Sequence, residues 1–405
     1  MKYFLDYGIL KRNKNFRLLF IGQTISFFGT MITSVVLPYQ IYQLTHSTLM
    51  VGLLSLFQLL PLLFTALIGG VFADRYHRQF LLFFSESIIA IGCILLAINA
   101  HLPNPKIWVL FVVASIMSAL TGLHRPAYDS IKQQIVDKKD FPAVSALVTS
   151  AASFSMIAGP AIGGLIIAHF GVVTTYLTDL ATFIVSLTTL ILMSNIPRPK
   201  WLHDQSTLAA LVSGLRYAKS RQELMGTYFV DFFAMIFGMP TALFPAIAYT
   251  HGGAKTLGLL YAAPAFGAFL FSLVSGWTKH IRYHGRAIAI SAGLWGVSII
   301  FFGLASNLWI ALFFLCLAGA FDAVSGIFRS IMWNDTIPND YRGRLAGIEM
   351  ISYLSGPKLG DTEAGLVAAA FGVSFSIVSG GILCIISVIG CCYIFPKFLH
   401  YRSKS

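Results

Sequence analysis

Long apolar stretches alternate with short charged segments along the whole chain. Each stretch is about 20 residues or longer, which is the length that a helix needs to cross the hydrocarbon core of a bilayer. Their positions predict twelve helices, at 16–44, 48–73, 79–100, 107–131, 142–169, 171–194, 222–250, 255–279, 285–305, 308–333, 344–370 and 372–396. The pattern therefore predicts an all-α membrane protein.

The longest polar interruption covers residues 195–221. It opens with Pro197 and Pro199, which disfavour a continuous helix, and then spaces apolar residues at nearly helical intervals. We interpret it as a linker that contains an amphipathic helix on the inner membrane surface. It would separate an N-terminal six-helix bundle at 1–194 from a C-terminal six-helix bundle at 222–405.

Short motifs recur between these two halves at a nearly constant separation. Val51-Gly-Leu-Leu matches Leu257-Gly-Leu-Leu, and Gly122-x-x-Arg125 matches Gly326-x-x-Arg329. Several such matches together indicate an internal duplication, which is the usual construction of secondary transporters. We therefore expect the two bundles to be pseudo-symmetric.

The positive charge follows the predicted topology. The chain carries 28 Lys and Arg against 16 Asp and Glu, a formal net charge of +12. If the termini and alternate loops share one side, all Lys and Arg except Lys106, Lys255 and Lys358 lie on or near it. Cytoplasmic loops are enriched in these residues, so both termini are predicted to be cytoplasmic. The basic residues form no single face, and we expect no binding of nucleic acid.

Composition and missing motifs exclude several classes of function. Hydrophobic residues make up 57% of the chain and charged residues 11%, too apolar a balance for a soluble enzyme. There is no Gly-x-x-x-x-Gly-Lys-Ser/Thr loop for nucleotide phosphates and no Gly-x-Ser-x-Gly or His-Glu-x-x-His motif. The five cysteines lie in apolar runs without metal-ligand spacing. We expect no enzyme activity, no metal and no cofactor, and a gradient as the source of energy.

A charged turn interrupts the apolar sequence between the second and third predicted helices. It reads Gly69-Gly-Val-Phe-Ala-Asp-Arg-Tyr-His-Arg-Gln and contains Gly70, Asp74, Arg75 and Arg78. Glycines allow two helices to approach closely, and a carboxylate at the end of its own helix is better placed at the positive N-terminus of another helix. We expect Asp74 to cap a helix near residues 343–345 while Arg75 or Arg78 pairs with Asp129, which together would form a conformational latch. The alternative is a simple charged stop after a membrane span.

Charged side chains inside the predicted spans are costly, about 2.5 to 3.5 kcal/mol each, and are candidates for function. Lys358 and Asp361 are three residues apart after Pro357 and share one helix face, whereas Glu363 does not. We expect Lys358 and Asp361 to respond to protonation, with Glu363 or Asp231 as the alternative proton carrier. The other interpretation is a static ion pair that fixes the predicted helix 344–370 against the predicted helix 222–250 through Asp231.

Two further sets of polar residues inside the predicted spans are weaker candidates for function. Gln23 is a candidate contact to a polar substrate, although an intramembrane Gln often only joins helices. Arg125 and Arg329, equivalent in the repeat, would attract an anionic substrate or close an inner gate, or else reach lipid phosphates. Glu86, Asp179 and Asp322 are further acidic residues inside spans, without an assigned role.

The charged turn resembles the signature of the major facilitator superfamily, Gly-x-Leu-Ala-Asp-Arg-x-Gly-Arg-Arg. More narrowly, Thr45-His-Ser-Thr-x-x-Val-Gly-Leu, the Gly69 segment and Gly360-Asp361 resemble the bacterial enterobactin exporter family. The resemblance implies the major facilitator fold, alternating access around a central cavity, and proton-coupled export of a siderophore or similar amphipathic small molecule.

The same resemblance implies a location in the bacterial cytoplasmic (inner) membrane. The expected partners are the small-molecule substrate, protons and membrane lipids, and we expect a monomer. Three alternatives remain open: a multidrug or macrolide-type efflux pump, an importer of siderophores, and a membrane sensor or scaffold that transports nothing.

Overall fold

The computed structural model describes residues 7–194, 196, 213 and 215–402. Within the helices, the side chains of 70, 71, 73–75, 279, 339–344 and 346–351 lie outside the described set. The first half contains α1 (Gly8–Arg12), α2 (Lys14–Thr45), α3 (Thr48–Arg75), α4 (Arg78–His101), α5 (Ile107–Ile135) and α6 (Phe141–Leu192). The second half contains α7 (Gln222–Gly238), α8 (Phe244–Thr250), α9 (Ala254–Leu273), α10 (His284–Leu304), α11 (Leu308–Thr336), α12 (Asn339–Phe371), α13 (Val373–Ile394) and α14 (Pro396–Leu399).

The described part of the chain holds ten helical segments that are long and apolar enough to cross a membrane. One of them includes α6, which contains both predicted helices 142–169 and 171–194. Gly171 separates the two with φ 80° and ψ 176°, a conformation that glycine adopts without strain. α12 is not among the ten, but it covers the predicted helix 344–370. Each predicted stretch therefore contains α-helix and the all-α membrane fold is confirmed, while ten segments rather than twelve meet the criteria for a membrane span among the described residues.

Two predicted helices end differently from the expectation. The predicted helix 222–250 is interrupted after Gly238 and resumes, through a 3₁₀ turn at Thr241–Leu243, as α8. Pro240 explains the break, because it has no N–H to donate and disfavours a helical residue before it. The predicted helix 255–279 ends at Leu273 and is followed by a 3₁₀ segment, Ser275–His280.

Contacts divide the chain into two compact units. The first consists of Met1–Thr45, Phe57–His203 and Gly252–Ala262, and the second of His46–Leu56, Asp204–His251 and Ala263–Ser405. The start of α3 thus clusters with the second unit and the start of α9 with the first. The predicted division at 195–221 remains a prediction, because most of that segment lies outside the described residues.

Within the first unit, α2 packs along α6, and α4 packs on both α5 and α6. Leu19, Leu82 and Ile131 are buried together there in one apolar cluster. Within the second unit, α10 packs on α11 and α13, and α7 packs on α12 and α13. Many large apolar side chains, such as Phe64, Trp309 and Ile389, remain exposed on the outside of these helices. Such a surface is suited to lipid rather than water.

Candidate functional site

The break between α7 and α8 is bound by a carboxyl group from α12. Asp361 Oδ1 accepts a hydrogen bond from the Thr241 hydroxyl and another, at 2.8 Å, from the Ala242 backbone N–H. Asp361 Oδ2 accepts from the Ser55 hydroxyl on α3 at 2.9 Å. The broken helix supplies donors that a continuous helix would use internally. Asp361 therefore joins three segments of the second unit: the break, α12 and the start of α3.

Close backbone contacts surround this carboxyl group. A Cβ on Gly52 would lie 2.8 Å from the Asp361 carbonyl oxygen, and a Cβ on Gly365 would lie 2.6 Å from the Thr48 carbonyl oxygen. Thr362 and Thr48 add hydrogen bonds between α3 and α12, each 3.2 Å long. Because glycine alone permits this approach, the start of α3 and α12 are in direct backbone contact at the level of Asp361.

The other two predicted proton-coupling residues of α12 lie beside this arrangement. Lys358, one turn before Asp361, is half-buried and takes part in an interaction. Glu363 is also half-buried. Helix α12 continues through Pro357. Proton coupling at Asp361 remains a prediction, and its hydrogen-bond partners Ser55 and Thr241 were not predicted.

A buried ion pair joins α7 to α11. Arg329 Nη1 pairs with Asp231 Oδ1, and both side chains are nearly buried, at 9% and 11% exposure. Arg329 Nη2 also lies 3.6 Å from Oδ1 of Asp322, whose side chain is 39% exposed. Asp231 was predicted as an alternative proton carrier or as part of a static ion pair, and its role remains a prediction. The structure places it against Arg329, a pairing that the sequence analysis did not name.

The repeat-related arginine in the first unit has a different environment. Arg125 is exposed, whereas Arg329 is buried. The shared Gly-x-x-Arg motif therefore places the two residues at equivalent positions of the repeat without giving them the same degree of burial. The roles proposed for both in substrate attraction or gating remain predictions.

The first unit buries a second carboxyl group that receives polar contacts from two helices, α2 and α5. Glu86 on α4 is 1% exposed, and its Oε1 accepts a 2.6 Å hydrogen bond from Gln23 on α2. The same oxygen lies 3.1 Å from Nε2 of His124 on α5. Gln23 also donates to Ser186 on α6 at 3.2 Å. The predicted substrate contact Gln23 is thus buried beside Glu86 in this structure.

His124 was missed by the sequence analysis. It immediately precedes Arg125, so the pair resembles the charged end of a membrane span. An available signal was that His124 lies inside an apolar run that contains no acidic residue until Asp129. Such a histidine needs a buried polar partner from another helix, and sequence alone does not say which.

Asp179, the other buried acid of the first unit, is fully hydrogen-bonded. Its carboxylate accepts from Thr33, from Thr182 at 3.2 Å and from Cys93 at 3.5 Å. Nearby, the Tyr176 hydroxyl donates to Gln40 at 2.8 Å. These contacts tie α2, α4 and α6 together. Such a network suits helix association in lipid.

The predicted latch can be described only in part. The side chains of Gly70, Asp74 and Arg75 lie outside the described residues. Arg78 is half-buried at the start of α4, and Asp129 accepts from Lys132 at 2.7 Å. A close approach of two helices is present at Gly69, the first glycine of this turn, because a Cβ there would lie 2.8 Å from the Gly122 carbonyl oxygen.

Comparisons with known proteins agree with this architecture. Residues 10–399 match the family model of the transmembrane secretion effectors. The enterobactin exporter EntS of Citrobacter koseri is 27% identical over 388 residues, covering 95% of this chain and 93% of that protein. EntS of Escherichia coli strain K12 is 28% identical over 407 residues, covering 98% and 96%. A mutant of the nucleoside transporter NupG, a solved structure, covers 94% of this chain and 100% of its own with a TM-score of 0.79 at 12% identity.

Proposed function

Because the chain belongs to the transmembrane secretion effector family of the major facilitator superfamily, we propose that it exports a siderophore or a similar amphipathic small molecule. That it is a multi-pass membrane transporter of a small molecule follows from the family. The observation that carries the finer proposal is the identity of about 28% to enterobactin exporters over 98% of the chain. In this proposal the protein lies in the bacterial cytoplasmic membrane as a monomer, with both termini cytoplasmic and alternating access to the two sides.

Proton influx would drive the export. A proton added to Asp361 at Oδ2 fits the contacts there, because the Ser55 hydroxyl can rotate from donor to acceptor whereas the Ala242 N–H on Oδ1 cannot. Protonation would remove the negative charge that attracts Lys358, which lies one turn away. It would therefore weaken the connection between α12, the start of α3 and the helix break. Glu363 is the alternative carrier on the same helix.

The ion pair between Arg329 and Asp231 in the second unit would also change during the transport cycle. Arg329 and Asp231 join α7 to α11, so any motion that separates these helices must replace this pair by contacts with water or substrate. An anionic substrate group could compete with Asp231 for the Arg329 guanidinium. Arg125 and Gln23 would act as the gate or substrate contacts of the first half.

The charged turn would favour one orientation of the carrier. In this proposal Asp74 caps the helix near residues 343–345, Gly70 allows the approach, and Arg75 or Arg78 exchanges with Lys132 as the partner of Asp129. The present partner of Asp129, Lys132, lies on the same helix in an exposed pair and would be replaced at small energetic cost.

Comparative metabolite profiling tests the proposal directly. Cells with and without the protein are grown in iron-poor culture, and the spent medium and cytoplasm are analysed. Loss of one exported iron chelator from the medium of the deletion strain supports the proposal. Unchanged export with altered drug resistance favours a drug efflux pump, and reduced uptake of the chelator favours an importer. No change in export, in uptake or in vesicle flux favours a sensor or scaffold.

A further inference from the structure

A buried carboxyl–imidazole pair in the first unit is not used by the proposed coupling at Asp361. Glu86 is 1% exposed, whereas the His124 side chain keeps 22% of its surface exposed, and 3.1 Å separates Oε1 from Nε2. We propose that Glu86 and His124 form a second proton-binding site, in which the imidazole takes up the proton and the carboxylate stabilises it. This inference deepens the proposed function and rests on it for its role in transport.

The two oxygens of the Glu86 carboxyl group have different surroundings. Oε1 has two partners, Gln23 and His124, but Oε2 is buried and has no hydrogen-bond partner among the described residues. A buried carboxylate oxygen without a partner is costly, and the cost is greatest when no cation compensates the charge. An ionised Glu86 therefore relies on the adjacent His124 as a group that can compensate its charge when it carries a proton.

The proton balance of the pair is simple. When Glu86 is ionised and His124 neutral, the Nε2–H donates to Oε1, Nδ1 carries a lone pair, and the pair has a net charge of −1. Uptake of one proton forms an Nδ1–H bond and brings the net charge to zero. The hydrogen bond between Nε2 and Oε1 is kept throughout. The hydrogen bond between His124 and Glu86 uses Nε2, so Nδ1 is the ring nitrogen that can take up the proton.

Few charged groups compete with this pair. Of the helices packed against Glu86, α2 contributes the uncharged Gln23 and α6 the uncharged Ser186. α5 contributes His124, whose ring stacks on Tyr128 at a centroid distance of 6.4 Å, and the neighbouring Arg125 is exposed.

The nearest acid of α6, Asp179, lies at the level of Cys93. Cys93 is seven residues beyond Glu86 on α4, or about 10 Å along the helix. The Asp179 carboxylate also accepts hydrogen bonds from Thr33 and Thr182. It is therefore a separate group, and among the described residues His124 is the titratable side chain within hydrogen-bonding distance of Glu86.

The pair would couple protonation to conformation. Loss of the proton leaves a buried net charge, which is relieved if the helices separate and water reaches Oε2. Proton binding would then favour the packing seen here, and proton release would favour the alternative arrangement. An exporter with this pair would exchange a proton in its first half in addition to one at Asp361.

Charge displacement after a pH step tests the site without any substrate. Proteoliposomes that contain the full chain are adsorbed to a solid-supported membrane and stepped between about pH 8 and about pH 5, the range in which histidine titrates. The variants are His124→Gln, which keeps a donor to Oε1 but does not titrate, and Glu86→Gln. His101→Gln is the matched control, because His101 is an exposed histidine at the end of α4. Thermal unfolding of each variant confirms that it is folded.

In the Asp361→Asn background, we expect His124→Gln to abolish the remaining displaced charge, while His101→Gln changes it little. In the otherwise wild-type chain, His124→Gln and Glu86→Gln should each lower the signal by roughly half, since two sites contribute. Wild-type signals in folded His124→Gln and Glu86→Gln proteins would overturn the inference. If the signal is lost as expected but the wild type moves no enterobactin under a pH gradient, the site stands and the proposed function fails.

Discussion

Asp231→Asn removes one partner of the buried ion pair between α7 and α11. The Arg329 guanidinium would keep only Asp322 nearby, at 3.6 Å and on a side chain that is 39% exposed. Removing one member of a buried pair typically costs about 3 to 5 kcal/mol. Asn can still accept one hydrogen bond from Arg329, so we expect a cost near the lower limit, about 3 kcal/mol. That cost corresponds to a change of roughly 150-fold in the unfolding equilibrium.

Two further variants isolate the pair. Asp322→Asn should cost at most about 1 kcal/mol, because its contact is longer and more exposed. In Asp231→Asn combined with Arg329→Gln, neither member of the buried pair is charged and two amides can still form a hydrogen bond, while Asp322 loses only its longer contact with Arg329. We therefore expect the double variant to be more stable than Asp231→Asn alone.

The free energy of unfolding is measured for the unsubstituted chain, the three variants above and Arg329→Gln alone, by titration with SDS in mixed micelles with helicity as the readout. The interaction energy follows from the double-mutant cycle of Asp231 and Arg329. Equal stabilities of Asp231→Asn, Asp322→Asn and the unsubstituted chain would refute the reasoning, because a desolvated ion pair cannot be broken without cost.

Three further predictions concern the transport cycle. Asp361→Asn should fold normally, since the amide can accept from the Ala242 N–H and donate to the Ser55 hydroxyl. The variant should nevertheless abolish the dependence of flux on the pH gradient in vesicles. Retained coupling would exclude Asp361 as the proton carrier. Gly365→Ala should destabilise the α3–α12 contact by about 1 to 3 kcal/mol and slow transport. Gly390→Ala is the control, because its added Cβ meets no atom within 4 Å, and it should change neither stability nor transport. Equal transport rates in the two variants would contradict the close approach. Asp74→Asn should leave stability near that of the wild type and lower the transport rate at least tenfold through a shifted conformational equilibrium; normal flux would remove the basis for the latch.

The apolar pattern was sufficient to predict the fold class and the approximate positions of the long helices. Its errors have local causes. Pro240 was visible inside the run 222–250, but an apolar run does not reveal whether a proline bends a helix or ends it. Gly171 lets two predicted helices follow one another without a loop of their own.

The site was less predictable, because its contacts join distant parts of the chain. Asp361 stood out as an acid within a membrane span, yet its partners Ser55 and Thr241 are 306 and 120 residues away in the sequence. Hydroxyl groups in an apolar run are too common to identify such partners in advance. Asp231 and Arg329 were each recognised, but only the packing of α7 on α11 reveals that they form a pair.

Uptake of labelled enterobactin into everted membrane vesicles tests the central claim most directly. Respiration acidifies the interior of such vesicles, and an exporter with cytoplasmic termini would move substrate inward in exchange for protons. We predict uptake by vesicles that contain the protein, loss of that uptake when nigericin collapses the pH gradient, and no gradient-driven uptake with Asp361→Asn. Uptake no greater than in vesicles without the protein, or uptake that nigericin leaves unchanged, would contradict proton-coupled export of this siderophore.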